Sequence, residues 1–376
     1  MSARRSIARS SHSLKRGLVA LLLLVSATTA VACPLCYEAA RQMVTVGQQL
    51  DAADRAVVGV PVAAGNQFRV VEVVKGNDDV GEVITDPVTG LDASSSGGSD
   101  SCLLIHDPVA PQWIAVGTMR AEYADWLRQL AATYLIKGDR PHADWPRSIR
   151  PSSALSYAGW RQRIALVLPY LENSDTLVAQ IAWGELARAP YATMDVVRSR
   201  INAKMVEGWL NDPTLVSRHA AYTLLLGFVG GPAAERLEQR LEAAWNSHDA
   251  TNLAAMIGAD LELRGPSRVG WVEAMYFADR TRTMPEIEAA LLALGVHGEA
   301  NHTVPRERVI QAYRAFIKER PPMAGFVAQQ LADWGYWDAA TEYSALLASD
   351  AVKDPASHFA VINYLQRAAA AKAALR

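Results

Sequence analysis

The stretch LDAADRAVVGVPVAAGNQFRVVEVVKG, residues 50–76, decides how the first part of this chain is read. Its apolar residues come in short β-branched runs, AVVGVPV and RVVEVV. Gly65-Asn66 separates them, and Gly76-Asn77-Asp78-Asp79 closes the second. Short β-branched runs bounded by turn residues predict strands. Three more runs of the same kind follow, GEVITDPV (81–88), SCLLIHDPV (101–109) and QWIAVGT (112–118). Five strands within about 65 residues predict a small antiparallel β-barrel. Between them LDASSSGGSDS (91–101) has the composition of a loop.

Outward from this core the period changes. Leu35, Ala39, Met43, Val46 and Leu50 fall three or four apart and predict a helix over 33–50. AEYADWLRQLAATYLI (121–136) predicts another. KGDRPHADWPRSIRPSS (137–153), polar and proline-rich, reads as a linker. From 154 to 376 every segment reads as helix, with breaks at 173–175, 211–213, 230–232 and 320–322. LVAQIAWGELARAPY from 177 and LVSRHAAYTLLLGFV from 215 match at an offset of 38 residues through Leu177/Leu215, Val178/Val216, Ala182/Ala220 and Leu186/Leu224. A helical repeat of that length predicts a HEAT-like α-solenoid. The expected fold class is α+β and multidomain. Residues 33–136 hold the leading helix, the barrel and its following helix, and residues 154–376 hold the helical array.

The chain has 376 residues, half of them apolar, enough for two cores. Residues 1–32 have the anatomy of a signal peptide. Arg4, Arg5, Arg9, Lys15 and Arg16 precede the apolar run Leu18 to Val25, and Ala30-Val31-Ala32 fits a cleavage site. That run is too short to span a bilayer, which takes about 20 residues. Losing five bases and no acid takes the net charge from −2 to −7. An acidic exported chain without basic, aromatic-interleaved tracts argues against nucleic-acid binding. The expected location is the periplasm or cell envelope.

The strand region, with CPLC before it and Cys102 after it, resembles the netrin-like domain, the OB-type barrel of the tissue inhibitors of metalloproteinases. Ala53-Asp54, Val57-Val58-Gly59-Val60 and Val70 to Gly76 carry the resemblance, which covers about residues 33–119. It implies a closed barrel with a cysteine at the mature N-terminus. In those inhibitors that cysteine chelates the target's zinc through its α-amino group and carbonyl. This chain departs from the pattern: its cysteines are spaced C-x-x-C rather than C-x-C, and only one follows, so the full disulfide set is excluded. A netrin-like barrel joined to HEAT-like helices resembles exported bacterial proteins that bring no activity to carry over.

Three cysteines leave four readings open: a disulfide, a redox pair, a metal site, or all three unpaired. A disulfide from the N-terminal pair to Cys102, with Cys36–Cys102 preferred, suits an oxidising compartment. It closes a long loop, worth about 4 kcal/mol in the chain-entropy model. Cys33 is then left over, as the mature N-terminus or as a lipidation site. Alternatively Cys33 and Cys36 form a redox pair at a helix start, where the dipole favours thiolate. A zinc site from Cys33, Cys36, Cys102 and His106 meets a geometric obstacle: CLLIH reads as a strand, which sets its ends about 13 Å apart. Haem attachment needs His after Cys36, and Tyr37 stands there.

Elsewhere His297, Glu299 and His302 (VHGEANH) are the one weak metal candidate, read as a surface loop because of Gly298 and Asn301. Glu185 and Glu207 read as solvated or helix-pairing positions. Trp160, Trp183, Trp209, Trp245, Trp271, Trp334 and Trp337 read mainly as packing between repeats, with some available to line a groove. No nucleophile elbow, P-loop or dinucleotide fingerprint occurs, and no cofactor is implied. The expected function is therefore non-catalytic: an envelope binding or scaffold protein that recognises a protein partner through its helical array. A thiol–disulfide protein using Cys33 and Cys36 is the alternative.

Overall fold

The computed structural model describes residues 44–62, 67–90, 101–139 and 155–374. The leader, Cys33, Cys36, most of the 91–101 loop and most of the linker lie outside the described residues.

Residues 44 and 45 are not helical, so the helix expected over 33–50 is not continuous. Thr45 is extended (ψ 157°) and starts α1 (Val46–Ala52) with a capping box to Gln48. The chain then enters the sheet: β1 (Arg55–Pro61), β2 (Phe68–Lys75), β3 (Val83–Ile84), β4 (Val88–Thr89), β5 (Cys102–Asp107) and β6 (Gln112–Thr118). Gly76, at φ +98°, closes β2; a side chain there would strike Arg55.

The strand order is β3-β2-β1-β5-β6-β4. Neighbours are antiparallel except β4 and β6, which run parallel. The sheet is thus a curled, mixed half-barrel, where a wholly antiparallel barrel was expected. The reason lies at Asp86-Pro87, inside the run read as one strand over 81–88. Proline has no N–H to give a ladder. The run splits into β3, which pairs with β2, and β4, which crosses to β6. Register shifts between Ala56 and Val57 and between Val58 and Gly59 mark irregularities in the β1–β2 ladder. Bulges of this kind bend a strand and increase its twist.

β1 and β5 read as unbroken apolar runs because both faces of the sheet are covered. Val57, Val70, Cys102, Leu104 and Trp113 form a small core on one face. Ala56, Val58, Leu103 and Ile105 on the other join the helices. That second cluster continues through Leu127, Trp160, Ile164, Val178 and Leu186 to Ala234, and also takes in Val296. A single core therefore joins side chains on both sides of residues 137–153. A further cluster runs from Leu237 to Ala368.

The helix read over 121–136 is a 3-10 turn, α2 (Ala124–Ala132) and a second 3-10 turn. Beyond it come α3 (Tyr157–Val167), α4 (Thr176–Arg188), α5 (Ala203–Asn211), α6 (His219–Val229), α7 (Leu237–Ser247), α8 (Leu253–Arg264), α9 (Met284–Ala300), α10 (Arg306–Glu319), α11 (Ala328–Asp333), α12 (Ala340–Ala348) and α13 (Pro355–Ala374). The connections at 191–199, 213–218 and 321–327 are 3-10 turns, and Glu273–Ala278 is a π-helical turn. The two repeat copies diverge. Leu177 and Val178 begin α4 and are buried, whereas Leu215 and Val216 lie in the turn before α6, with Val216 60% exposed. Among the described residues no helix is long and apolar enough to cross a membrane.

Candidate functional site

Where α1 meets the helices, four charges are buried together. Arg163 on α3 reaches Asp51 through both terminal nitrogens (Nη2–Oδ1 2.7 Å, Nη1–Oδ2 2.8 Å). It also donates to Glu185 on α4 at 2.9 Å. Arg188, one turn further along α4, donates to Glu185 Oε1 (2.9 Å) and Asp51 Oδ2 (3.0 Å). Glu185 is 0% exposed, which corrects the solvated alternative of its reading, while its bond to Arg188 one turn along α4 is the helix pairing. Burial works against the Arg163 charge, but Glu185 and Asp51 outweigh it and hold its pKa above the ordinary value. The cluster is neutral, two cations against two anions, and every member is hydrogen-bonded. That is the condition under which buried charge is tolerated. Lys75 from β2 adds hydrogen bonds to the carbonyls of Leu50 and Asp51 at the C-terminal end of α1. Burial lowers the Lys75 pKa, against the pull of Asp51 and Asp54.

Arg163 also binds α2 to α3, donating to Leu130 O (3.0 Å) and Thr133 Oγ1 (2.7 Å). One turn along the same pair, Trp126 Nε1 donates to Leu166 O at 3.0 Å. There the helices part to form an open groove of about 520 Å³. Its aromatic walls are Tyr123, Trp126 and Tyr170, with ring centroids 4.9 Å (Trp126–Tyr170) and 6.0 Å (Tyr123–Tyr170) apart. Tyr123 Oη donates to Asn173 Oδ1 at 3.1 Å. Trp126 is 5% exposed and meets the groove only at its edge, and Arg120 lies over the Tyr123 ring at 5.0 Å and donates to its phenol. The charged lining residues are both acidic, Glu122 and Asp125, with side chains 62% and 82% exposed. Their partners Arg120 (3.2 Å) and Arg128 (2.8 Å) stand outside the lining. Exposed pairs of this kind contribute about 0–1 kcal/mol and exchange partners readily.

The residues singled out from sequence go elsewhere. Cys102 is fully buried in β5, paired across the sheet with Gly59 and Thr118. His106 lies in the same strand, its Nδ1 2.7 Å from Asp54 Oδ1 and its ring against Trp113. VHGEANH is not a surface loop: α9 continues through it to Ala300, and Asn301 ends the helix in the left-handed region at φ +53°. Gly298 does not break the helix. It is where Trp334 presses closest, and a Cβ there would lie 2.4 Å from that ring.

The three metal candidates diverge. His297 points inward, Glu299 accepts from Trp334 Nε1 at 2.9 Å, and His302 lies beside Thr303 on the surface. His297 Nε2 is 2.9 Å from Gly258 O, so that nitrogen carries the proton. Its other nitrogen faces Glu262 at 3.9 Å. Glu262, itself buried, accepts from Tyr191 (3.0 Å), Arg198 (2.6 Å) and Thr303 (2.8 Å), binding the 191–199 turn to α8 and to the chain after α9. Among the described residues no group of three or more His, Cys, Asp or Glu is arranged to hold a metal ion.

The tryptophans act mainly as packing. Arginines lie over Trp160, Trp183, Trp245, Trp271, Trp334 and Trp337, at 4.0 Å in the closest case, Arg268 over Trp271. Trp209 lies against Tyr222. The groove uses Trp126, which the sequence did not single out; the local signal was the clustering of Tyr123 and Trp126 with two acids. Comparison of the chain with protein-family models, with curated proteins and with solved structures gives no match.

Proposed function

We propose that this is an exported, non-catalytic binding module of the cell envelope, and that its contact site is the groove between α2 and α3. The proposed occupant is an extended, proline-containing basic segment of another protein. The observation that carries this reading is the pairing of aromatic walls with an acidic lining. Proline-rich segments dock on aromatic-lined grooves because their extended helix is already formed and loses little entropy. Glu122 and Asp125 complement a basic flank.

The finer fold readings belong to the same proposal. The curled sheet is taken as a netrin-like, OB-type unit, and the helices as a HEAT-like array in which Asp175 and Asp212 each cap the turn that opens a repeat copy. The burial of Cys102 supports a structural staple to Cys36 over a redox role for the N-terminal pair. Cys33 is then free to serve as the mature N-terminus or a lipid tether.

The test is calorimetric titration of the whole protein with two synthetic peptides, prolines interspersed with arginine in one and with glutamate in the other. The arginine peptide should bind. Tyr170→Ala should weaken it by about 1–2 kcal/mol, as for a buried aromatic anchor. Equal affinity for both peptides, or none for either, rejects the groove as a basic-peptide site.

A further inference from the structure

The charge cluster and the groove share α2 and α3. Two ties set the spacing of these helices: Arg163 to Leu130 O and Thr133 Oγ1, then Trp126 to Leu166 O one turn away at the groove. Asp51 of α1 orients the first tie by holding both terminal nitrogens of Arg163. The groove is therefore one turn removed from a contact that α1 completes.

α1 is held by polar contacts and by one apolar anchor, Leu50, which is buried in the shared core with Val46 packed against it. The helix has seven residues, of which Gly47, Leu50 and Asp51 are buried. Gly47 lies so close to α4 that a Cβ there would stand 1.7 Å from Glu185 Oε1. Lys75 holds the C-terminal carbonyls, and Arg188 approaches Thr45 Oγ1 at 3.4 Å. A helix this short is not stable by itself in water, so α1 is either docked and helical or undocked and unfolded. Undocking takes Asp51 away and leaves Arg163 and Arg188 with Glu185 alone. The surplus buried positive charge then forces the α2–α3 contact to rearrange.

We propose that α1 is a strap whose docking sets the groove: docked, it holds α2 and α3 at the spacing seen here, and undocked, it loosens them and weakens binding. The regulatory meaning of the strap rests on the groove being the contact site. Its physical content, coupling between α1 and the groove walls, does not.

Hydrogen exchange on the whole protein without ligand reads that coupling. Thr45→Ala removes the cap of α1 but leaves the four charges in place. It should speed exchange in residues 46–52 by about tenfold, the effect of a lost N-cap, and speed residues 121–132 and 157–170 in parallel, while α9 stays unchanged. The opposite variant is Thr45→Cys with Gly184→Cys. A Cβ at Gly184 would lie 3.4 Å from Thr45 Cβ, close to disulfide spacing. Reduced, this pair lacks the Thr45 cap and should speed exchange as Thr45→Ala does; oxidised, it should slow exchange in both regions relative to the reduced form. If exchange in 46–52 changes in either variant while the groove walls do not respond, the strap is overturned. Coupled exchange alongside a flat peptide titration would support the strap and remove the peptide reading alone.

Discussion

At the scale of single residues, His297 is the group whose environment departs furthest from its sequence reading. Burial lowers its pKa from the ordinary 6.5, against the pull of the Gly258 carbonyl and Glu262. The folded state thus holds it neutral at pH values where the unfolded chain binds a proton. Stability from this group is complete above about pH 6.5. It declines as the pH falls below that value and levels off below the folded-state pKa. His297→Gln keeps a donor for Gly258 O but does not titrate. Denaturant unfolding between pH 7 and 5 should therefore show a shallower loss of stability in the variant. Parallel slopes would mean that His297 titrates alike in the folded and unfolded chain, against the burial effect. Glu185 teaches the same lesson. Beside Arg188 it looks like an ordinary surface pair, and its burial depends on Arg163 and on Asp51, which lies 112 residues from Arg163 in sequence.

At the scale of elements, most of the secondary structure was legible, and the exceptions have local causes. The strand runs matched because β-branched clustering is a short-range signal. The run over 81–88 failed at Pro87, where a missing N–H outweighed the apolar pattern. Of the helix expected over 33–50, the described part begins at Val46, where the Thr45 capping box starts it, and residues 33–43 lie outside the described residues. VHGEANH was misread as a surface loop because glycine has two uses, to turn the chain and to admit a neighbour. Gly298 serves the second. Its replacement by alanine therefore sets two effects against each other. Helix propensity favours alanine by about 1 kcal/mol, whereas the clash with the Trp334 ring opposes it by about 1–3 kcal/mol. We expect Gly298→Ala to be destabilising and Gly298→Ala with Trp334→Leu to recover stability. Thermal unfolding of the two variants checks this, and a stabilised single variant would contradict the close approach.

At the scale of the whole molecule, the sheet and the first helices share a core. Leu186 on α4 is fully buried in the cluster that also contains Val58, Leu103 and Ile105 of the sheet. Leu186→Ala should cost about 3 kcal/mol. Because the core is shared, the loss should appear as faster exchange in β1 and β5 as well as in α4. Loss confined to the helices would show that the sheet is stable without them. Shared stability also gives the strap its leverage, since α1 sits where sheet and helices meet.

The order of elements follows from the amino-acid sequence alone: a strand region, then helices, with turns at Gly, Pro and Asp. Periodicity and backbone sterics dictate it, and both act over a few residues. Three features needed the folded chain. The sheet curls without the expected antiparallel closure, Asp51, Arg163, Glu185 and Arg188 meet in the interior, and Tyr123, Trp126 and Tyr170 line one groove. Each depends on groups far apart in the chain, whose burial and pairing free energies exist only once the fold has brought them together.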